Sequence, residues 1–143
     1  MSAAINHCGA IVAPWVQSHP ESFPPVVVNV SDGAATDGDP GVWAERLRLL
    51  RTDDGPVLLF NVNVSSLSAD PVCFPSNEED LRDEFARDLF RMSSPLPPFM
   101  GDLARARGYA VDGGARGFVF NADLDALTAF LQTATSTHDA EER

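Results

Sequence analysis

Residues 24–40 read PPVVVNVSDGAATDGDP, a run of valines that passes directly into a loop rich in Asp and Gly. A short, continuous apolar run such as residues 26–30 is typical of a strand that is buried on both faces of a parallel sheet. Three carboxylates, Asp32, Asp37 and Asp39, follow at the end of this strand. The stretch therefore predicts a fold class and also the edge of the sheet at which a site is expected.

Helical and extended patterns alternate on both sides of this strand. Helical spacing of apolar residues occurs in five segments, which are the amino-terminal residues and residues 42–51, 78–92, 98–107 and 124–133. Two further strands are predicted at residues 57–64 and 115–122. This alternation is typical of a parallel sheet that is covered by helices on both faces. The predicted fold is α/β, a Rossmann-like three-layer α/β/α arrangement with three parallel strands.

Individual side chains predict how the helices begin and which faces they bury. The first helix has an apolar stripe of Ile5, Cys8, Val12 and Trp15. The last helix has an inward face of Leu127, Phe130 and Leu131. Helix caps are predicted at three places, which are Asp39 with Pro40 behind it, Ser76 or Asn77, and Asp123.

The composition of the chain restricts its partners. The 143 residues have a formal net charge of -11, and all ten basic residues are Arg. Nucleic acids and anionic membranes are therefore not expected as partners, because their phosphates would be repelled. Cys8 and Cys73 lie far apart in no metal-ligand spacing, which favours two reduced thiols in a cytoplasmic protein.

The acidic loop permits two interpretations. Ligands of parallel α/β sheets bind beyond the carboxyl ends of the strands, and a hard divalent cation takes oxygen ligands. Asp32 leaves the strand directly and is the candidate metal contact. Asp37 and Asp39 fit the roles of turn and cap residues better, because Asp accepts backbone N–H bonds at helix starts.

The motifs of catalysis are missing from the sequence. No GxxxxGK or GxGxxG loop occurs, the chain has no Lys, and no Ser lies in a GxSxG turn. The three His residues are not in a ligand spacing. An enzyme is therefore not expected, and no catalytic residue is predicted.

Four segments carry a resemblance to a known family. The strings SHPESFPPVVVNVSDGAATDGDP, LLFNVNVSS, DEFARDLFRMSSPLPPFM and GARGFVFNADLDALTAFL resemble bacterial intracellular proteins with a von Willebrand factor A domain. The resemblance covers about residues 2–133, so it implies a domain over residues 1–133 and a flexible acidic tail over residues 134–143. It also implies a Rossmann-like sheet of order 3-2-1-4-5-6 and a metal-ion-dependent adhesion site, in which three loops bind Mg²⁺.

Only the third of these metal loops matches the chain, at Asp32. The resemblance thus implies the carboxyl-terminal half of the domain, without its first three strands and its DxSxS loop. Those parts would precede Met1, so the chain would be a truncated gene product, a product with a misassigned start, or one whose partner supplies the rest. The residual site would bind Mg²⁺ weakly.

The expected function is that of a non-enzymatic protein-interaction module. Members of the family mostly bind proteins, so a protein partner is expected, together with possible self-association through the strand edge at residues 26–30. Two alternatives remain open at this point. One is a metal-dependent hydrolase of phosphate esters that uses Asp32, Asp37 and Asp39 as ligands, and the other is a fragment without function.

Overall fold

The predicted alternation of helices and strands is present in the structure. The computed structural model of the chain describes residues 1–65 and 69–136. Its elements, in chain order, are α1 (Ser2–Ser18), β1 (Val26–Ser31), α2 (Pro40–Leu49), β2 (Arg51–Thr52), β3 (Gly55–Pro56), β4 (Leu58–Val64), β5 (Val72–Cys73), α3 (Glu84–Met92), α4 (Pro98–Ala106), β6 (Phe118–Ala122) and α5 (Leu124–Ala134).

The main sheet has four strands in the order β1-β4-β6-β5. The first three strands are parallel, and β5 pairs with β6 in the antiparallel direction. Strands β2 and β3 form a separate two-stranded hairpin. The fold is therefore a partial Rossmann-like α/β fold, as predicted, with an antiparallel edge strand and a hairpin in addition. Two-residue strands are too short to produce an alternating pattern, so the sequence analysis extended a helix through Arg51 and placed Thr52, β3 and β5 in loops.

Helices cover both faces of the sheet. Side chains of successive strand residues point to opposite faces, so the apolar strands present an apolar surface on each face for helices to cover. On one face, α1, α2 and α3 pack over a core that includes Leu59 and Phe118. On the other face, α4 and α5 pack over Phe60 and Val119. Strand β4 lies between β1 and β6, so its apolar side chains contribute to both cores.

The start of α3 differs from the prediction. Its cap is Asp83, whose carboxylate accepts a hydrogen bond from the Phe85 backbone at 2.8 Å. The predicted start at residue 78 was wrong, because Asn77 instead accepts the Glu79 backbone N–H at 3.0 Å in a turn outside the helix. Both are side-chain caps of nearby backbone, and the sequence alone did not distinguish a turn from a helix start.

The buried face of α1 also differs from the predicted stripe. Ile5 and Val12 are buried, but Cys8 is half-buried, and Trp15 is 38% exposed. Val16 is the remaining large apolar residue of the buried face. Apolar residues occur on two sides of this helix, so more than one set of positions has helical spacing. On α5, Phe130 is buried as predicted, whereas Leu131 is 38% exposed.

The carboxyl-terminal end of the chain is described only in part. Helix α5 ends at Ala134 with Thr135 as its C-cap, so the first residues of the predicted tail complete a helix. Residues 137–143 of that tail lie outside the described residues. Within residues 1–65 and 69–136, no helix combines the length and apolarity needed to cross a membrane.

Candidate functional site

The carboxylate of Asp37 caps the first turn of α1. It accepts hydrogen bonds from the backbone nitrogens of Ala3 at 2.8 Å and Ser2 at 3.0 Å, and it forms an ion pair with the Met1 α-amino group at 3.1 Å. The bond from Ala3, followed by the bond from Ser2, holds the pKa of Asp37 well below its usual range. The side chain is therefore an ionised cap on α1 and ties the loop after β1 to this helix.

Asp39 caps a different helix. Its carboxylate accepts the Gly41 backbone N–H at 2.9 Å, and Pro40 is the first residue of α2. The predicted cap with proline at the first helical position is confirmed. Proline fits there because its missing N–H has no intrahelical partner at that position in any case.

Asp32 is exposed, and among the described residues its side chain has no hydrogen bond or ion pair. The structure does not bring the three Asp residues together as one ligand set, since Asp37 and Asp39 bind the starts of two different helices. In the part of the chain that the structure describes, no group of three or more His, Cys, Asp or Glu side chains could hold a metal ion. These residues do not fit a Mg²⁺ centre, which needs near-octahedral oxygen ligation. Weak binding of Mg²⁺ at Asp32 stays a prediction.

An amide side chain connects the strand ends at this edge of the sheet. Asn63 of β4 is almost fully buried; its Nδ2 donates to the Ser31 carbonyl at 3.5 Å, and its Oδ1 accepts the Asn121 backbone N–H at 3.3 Å. Asn121 adopts a φ of 55°, in the left-handed region that Asn tolerates better than most residues. Asn63 therefore fixes the ends of all three parallel strands, a role that the sequence pattern did not indicate.

A second amide network lies deeper in the molecule. The Oδ1 of Asn61 accepts from Asn29 Nδ2 at 3.0 Å, and its Nδ2 donates to Ser93 Oγ at 2.9 Å and to the Leu89 carbonyl at 3.4 Å. Asn61 is fully buried in β4, so these partners satisfy groups that would otherwise be costly to bury. The network joins β1, β4 and the carboxyl end of α3.

A cleft of about 870 Å³ lies beside β5 and the end of β6. Its charged lining residues, among those that the structure describes, are four carboxylates and one guanidinium: Asp70, Asp80, Asp83, Asp112 and Arg82. Cys73 also lines the cleft, and burial raises the pKa of its thiol to about 11. The thiol is therefore protonated at neutral pH and is not an activated nucleophile. Nothing in the sequence indicated this cleft, because it depends on the short strand β5.

The free edge of β1 is the other feature that could bind a ligand. Among the described strands, β1 pairs only with β4, and the Leu58 N–H donates to the Pro25 carbonyl at 3.0 Å. Backbone groups of a parallel strand point alternately to its two sides, so the N–H and C=O groups of Val26, Val28 and Val30 face away from β4. Val30 is also 49% exposed. The edge therefore presents unpaired backbone groups beside apolar side chains.

Comparison with known proteins does not assign the chain to a family. No protein-family model matches it, and neither a curated protein nor a solved structure is significantly similar to it.

Proposed function

We propose that the chain is a non-enzymatic protein-interaction module of the von Willebrand A type, and that it binds its partner through the free edge of β1. The observation that carries this proposal is the contrast in pairing within the sheet. Strand β4 has a neighbour on each side, whereas β1 has one neighbour among the described strands. An exposed edge strand is a template for a further strand, and main-chain hydrogen bonds then provide the affinity.

Chemistry around the acidic loop supports the non-enzymatic part of the proposal. Two of the three candidate carboxylates cap helices, and Asp32 has no basic or nucleophilic group bonded to it in the described residues. General acid–base catalysis needs such a partner within hydrogen-bond reach. A cytoplasmic location is part of the same proposal and agrees with two free thiols, Cys8 and Cys73.

The experiment that tests the binding surface is site-specific photo-crosslinking in cells. A photoreactive residue replaces Val30 on the free edge or, as a matched control, Leu124, which is 76% exposed on α5. We expect discrete protein adducts from position 30 and none of the same size from position 124. Absence of a discrete adduct at position 30, or an identical pattern at both positions, would contradict the proposal.

Turnover assays test the non-enzymatic part separately. We expect no hydrolysis of phosphate esters, peptides or carboxylic esters by the purified chain. Hydrolysis of a phosphate ester that is lost in Asp32→Asn, a change that removes the exposed carboxylate but no helix cap, would instead support the metal-dependent hydrolase.

Calorimetry tests the residual metal site. We expect Mg²⁺ to bind no more tightly than about millimolar, the weak end of affinities for oxygen-ligand sites, because one exposed carboxylate leaves the ion largely hydrated. Asp32→Ala should remove any heat of binding, whereas micromolar affinity that depends on Asp32 would show that a complete metal site forms at this loop.

A further inference from the structure

Carboxylates lie at both ends of β1. Asp32 directly follows the last residue of the strand. At the other end, Asp54 lines an apolar groove together with Phe23 and Pro24, the residues that lead into the strand. The sequence that contains β1 is acidic as well, because the first 45 residues contain five Asp and Glu residues and neither Lys nor Arg; Arg46, Arg48 and Arg51 follow it, before Asp54.

Between these charges, the edge itself is apolar. Val26 and Val28 pack in part against the core beneath α4 and α5, and Val30 is about half exposed on the same side of the strand. A strand added at this edge would therefore bond to the backbone groups of these three valines. Its alternate side chains would lie beside a row of valine side chains.

We propose that β1 accepts an extended segment of a different protein, apolar at alternate residues and flanked by Lys or Arg at both ends. This inference rests on the proposed function and specifies the chemistry of its partner. Basic flanks would lie near Asp32 at one end and Asp54 at the other, and electrostatic complementarity of this kind selects the partner and speeds association.

A second copy of the chain fits this edge less well. Each copy has a formal net charge of -11. Antiparallel pairing of two β1 strands would also place the Asp32 end of one copy beside the Asp54 end of the other, so that like charges meet at both ends of the interface. Juxtaposed like charges disfavour such a complex.

Two labelled peptides test the proposal by fluorescence anisotropy. The first is Lys-Val-Thr-Val-Thr-Val-Lys, and the second has the same centre with Glu at both ends. We expect the basic peptide to bind, and its affinity should fall as salt is added. It should bind about tenfold more tightly than the acidic peptide, because the end charges of the two peptides differ by four units. Hydrogen exchange should show new protection at the amides of Val28 and Val30, whereas Val27 and Asn29 already face β4.

Two variants keep the test independent of folding. Val30→Pro removes an N–H that faces away from β4, so it should abolish peptide binding, whereas Val30→Thr keeps the β-branched shape and should retain it. If Val30→Pro does not fold by circular dichroism, Asp32→Lys takes its place. Asp32 is exposed and has no described partner, so Asp32→Lys should leave the fold unchanged. We expect it to lower the affinity for the basic peptide about two- to fivefold.

Several outcomes would overturn the inference. They are equal binding of the two peptides, no binding of either, or a concentration-dependent dimer in light scattering that Val30→Pro dissociates. The last result would assign the edge to a second copy. If position 30 crosslinks to a protein in cells while the peptides are not discriminated, the proposed function stands and only the basic partner is wrong.

Discussion

Strands β1 and β4 are adjacent, parallel and similar in sequence, yet their surroundings differ. Their sequences are VVVNVS and LLFNVNV, and they pair residue for residue from Val26 with Leu58 to Ser31 with Asn63. Residues 58–63 of β4 are all buried, whereas no residue of β1 is fully buried. An apolar strand sequence therefore indicates that the strand is suited to burial, and it does not say whether the same chain supplies the cover.

The largest expected difference in stability between variants at the two strands comes from adding one methyl group beside each strand. A β-carbon added at Gly117 would overlap the ring of Phe60, which is fully buried in β4, whereas one added at Gly33, after β1, meets no atom within 4 Å. We expect Gly117→Ala to lower the free energy of unfolding by about 3 kcal/mol or more, as overpacking of a closed core does. Gly33→Ala should leave it nearly unchanged.

Urea denaturation of both variants measures this difference. Similar midpoints for Gly117→Ala and Gly33→Ala would show that the core around β4 is loosely packed, and the contrast between the strands would then be much smaller than the burial pattern indicates.

The directly paired residues Val62 and Val30 give the next contrast. Val62 is fully buried in β4, and Val30 is about half exposed in β1. We expect Val62→Ala to cost about 2 kcal/mol through lost burial and the cavity left behind, and Val30→Ala to cost less than about 1 kcal/mol. Equal losses, measured by the same denaturation, would mean that the edge of β1 is covered in solution.

Replacing the paired amides Asn61 and Asn29 should give a smaller difference in the free energy of unfolding. Removing Asn61 deletes all three bonds of its amide and leaves Asn29 Nδ2 without its acceptor, although Ser93 Oγ keeps its bond to the Leu89 carbonyl. Removing Asn29 deletes one bond and leaves one unpaired oxygen on Asn61. We expect Asn61→Ala to destabilise the chain by about 1–2 kcal/mol more than Asn29→Ala, because buried unsatisfied polar groups are costly. The free energies of unfolding of the two single variants test this, and a difference near zero would mean that water replaces the lost bonds.

The smallest expected effect concerns the cap that attaches α1 to the loop after β1. The pKa of Asp37 in the folded chain lies below its ordinary value of 3.8. The stability that this carboxylate contributes is therefore fully present above pH 3.8, and it is lost as the pH falls through the lower pKa of the folded state. The gap in Tm between the wild-type chain and Asp37→Ala should therefore be widest near neutral pH and narrow below pH 3.8.

Asp32→Ala is the matched control for this cap. It removes a carboxylate from the same loop without removing a described hydrogen bond, so its effect on Tm at neutral pH should be smaller. A gap for Asp37→Ala that stays constant with pH would show that the ionised carboxylate does not hold α1.

Local patterns were sufficient for much of the fold. The three parallel strands come from apolar runs, and the caps at Asp39 and Asp123 come from a carboxylate at a helix start; Asp123 accepts the Ala126 backbone N–H at 2.8 Å. What could not be predicted depends on contacts between distant residues. Strand β5 forms only against β6, and neighbouring Asx residues compete to cap α3.

The same limit applies to the candidate site. The capping role of Asp37 requires α1 to lie beside a loop 34 residues further along the chain, and no spacing in the sequence encodes that contact. The connecting role of Asn63 likewise depends on the ends of two other strands. Sequence reasoning placed the three carboxylates after the end of β1, where the structure has them, but it could not assign each carboxylate to a partner.

The placement of the aromatic residues has an optical consequence. Both tryptophans, Trp15 on α1 and Trp43 on α2, belong to helices on one face of the sheet. Tryptophan fluorescence therefore reports on that layer alone, whereas far-ultraviolet circular dichroism reports on helices of both layers. If the chain unfolds in one cooperative step, the two signals change together. A fluorescence transition that precedes the circular-dichroism transition would show that the α1–α2 layer detaches while α4 and α5 remain folded on the sheet.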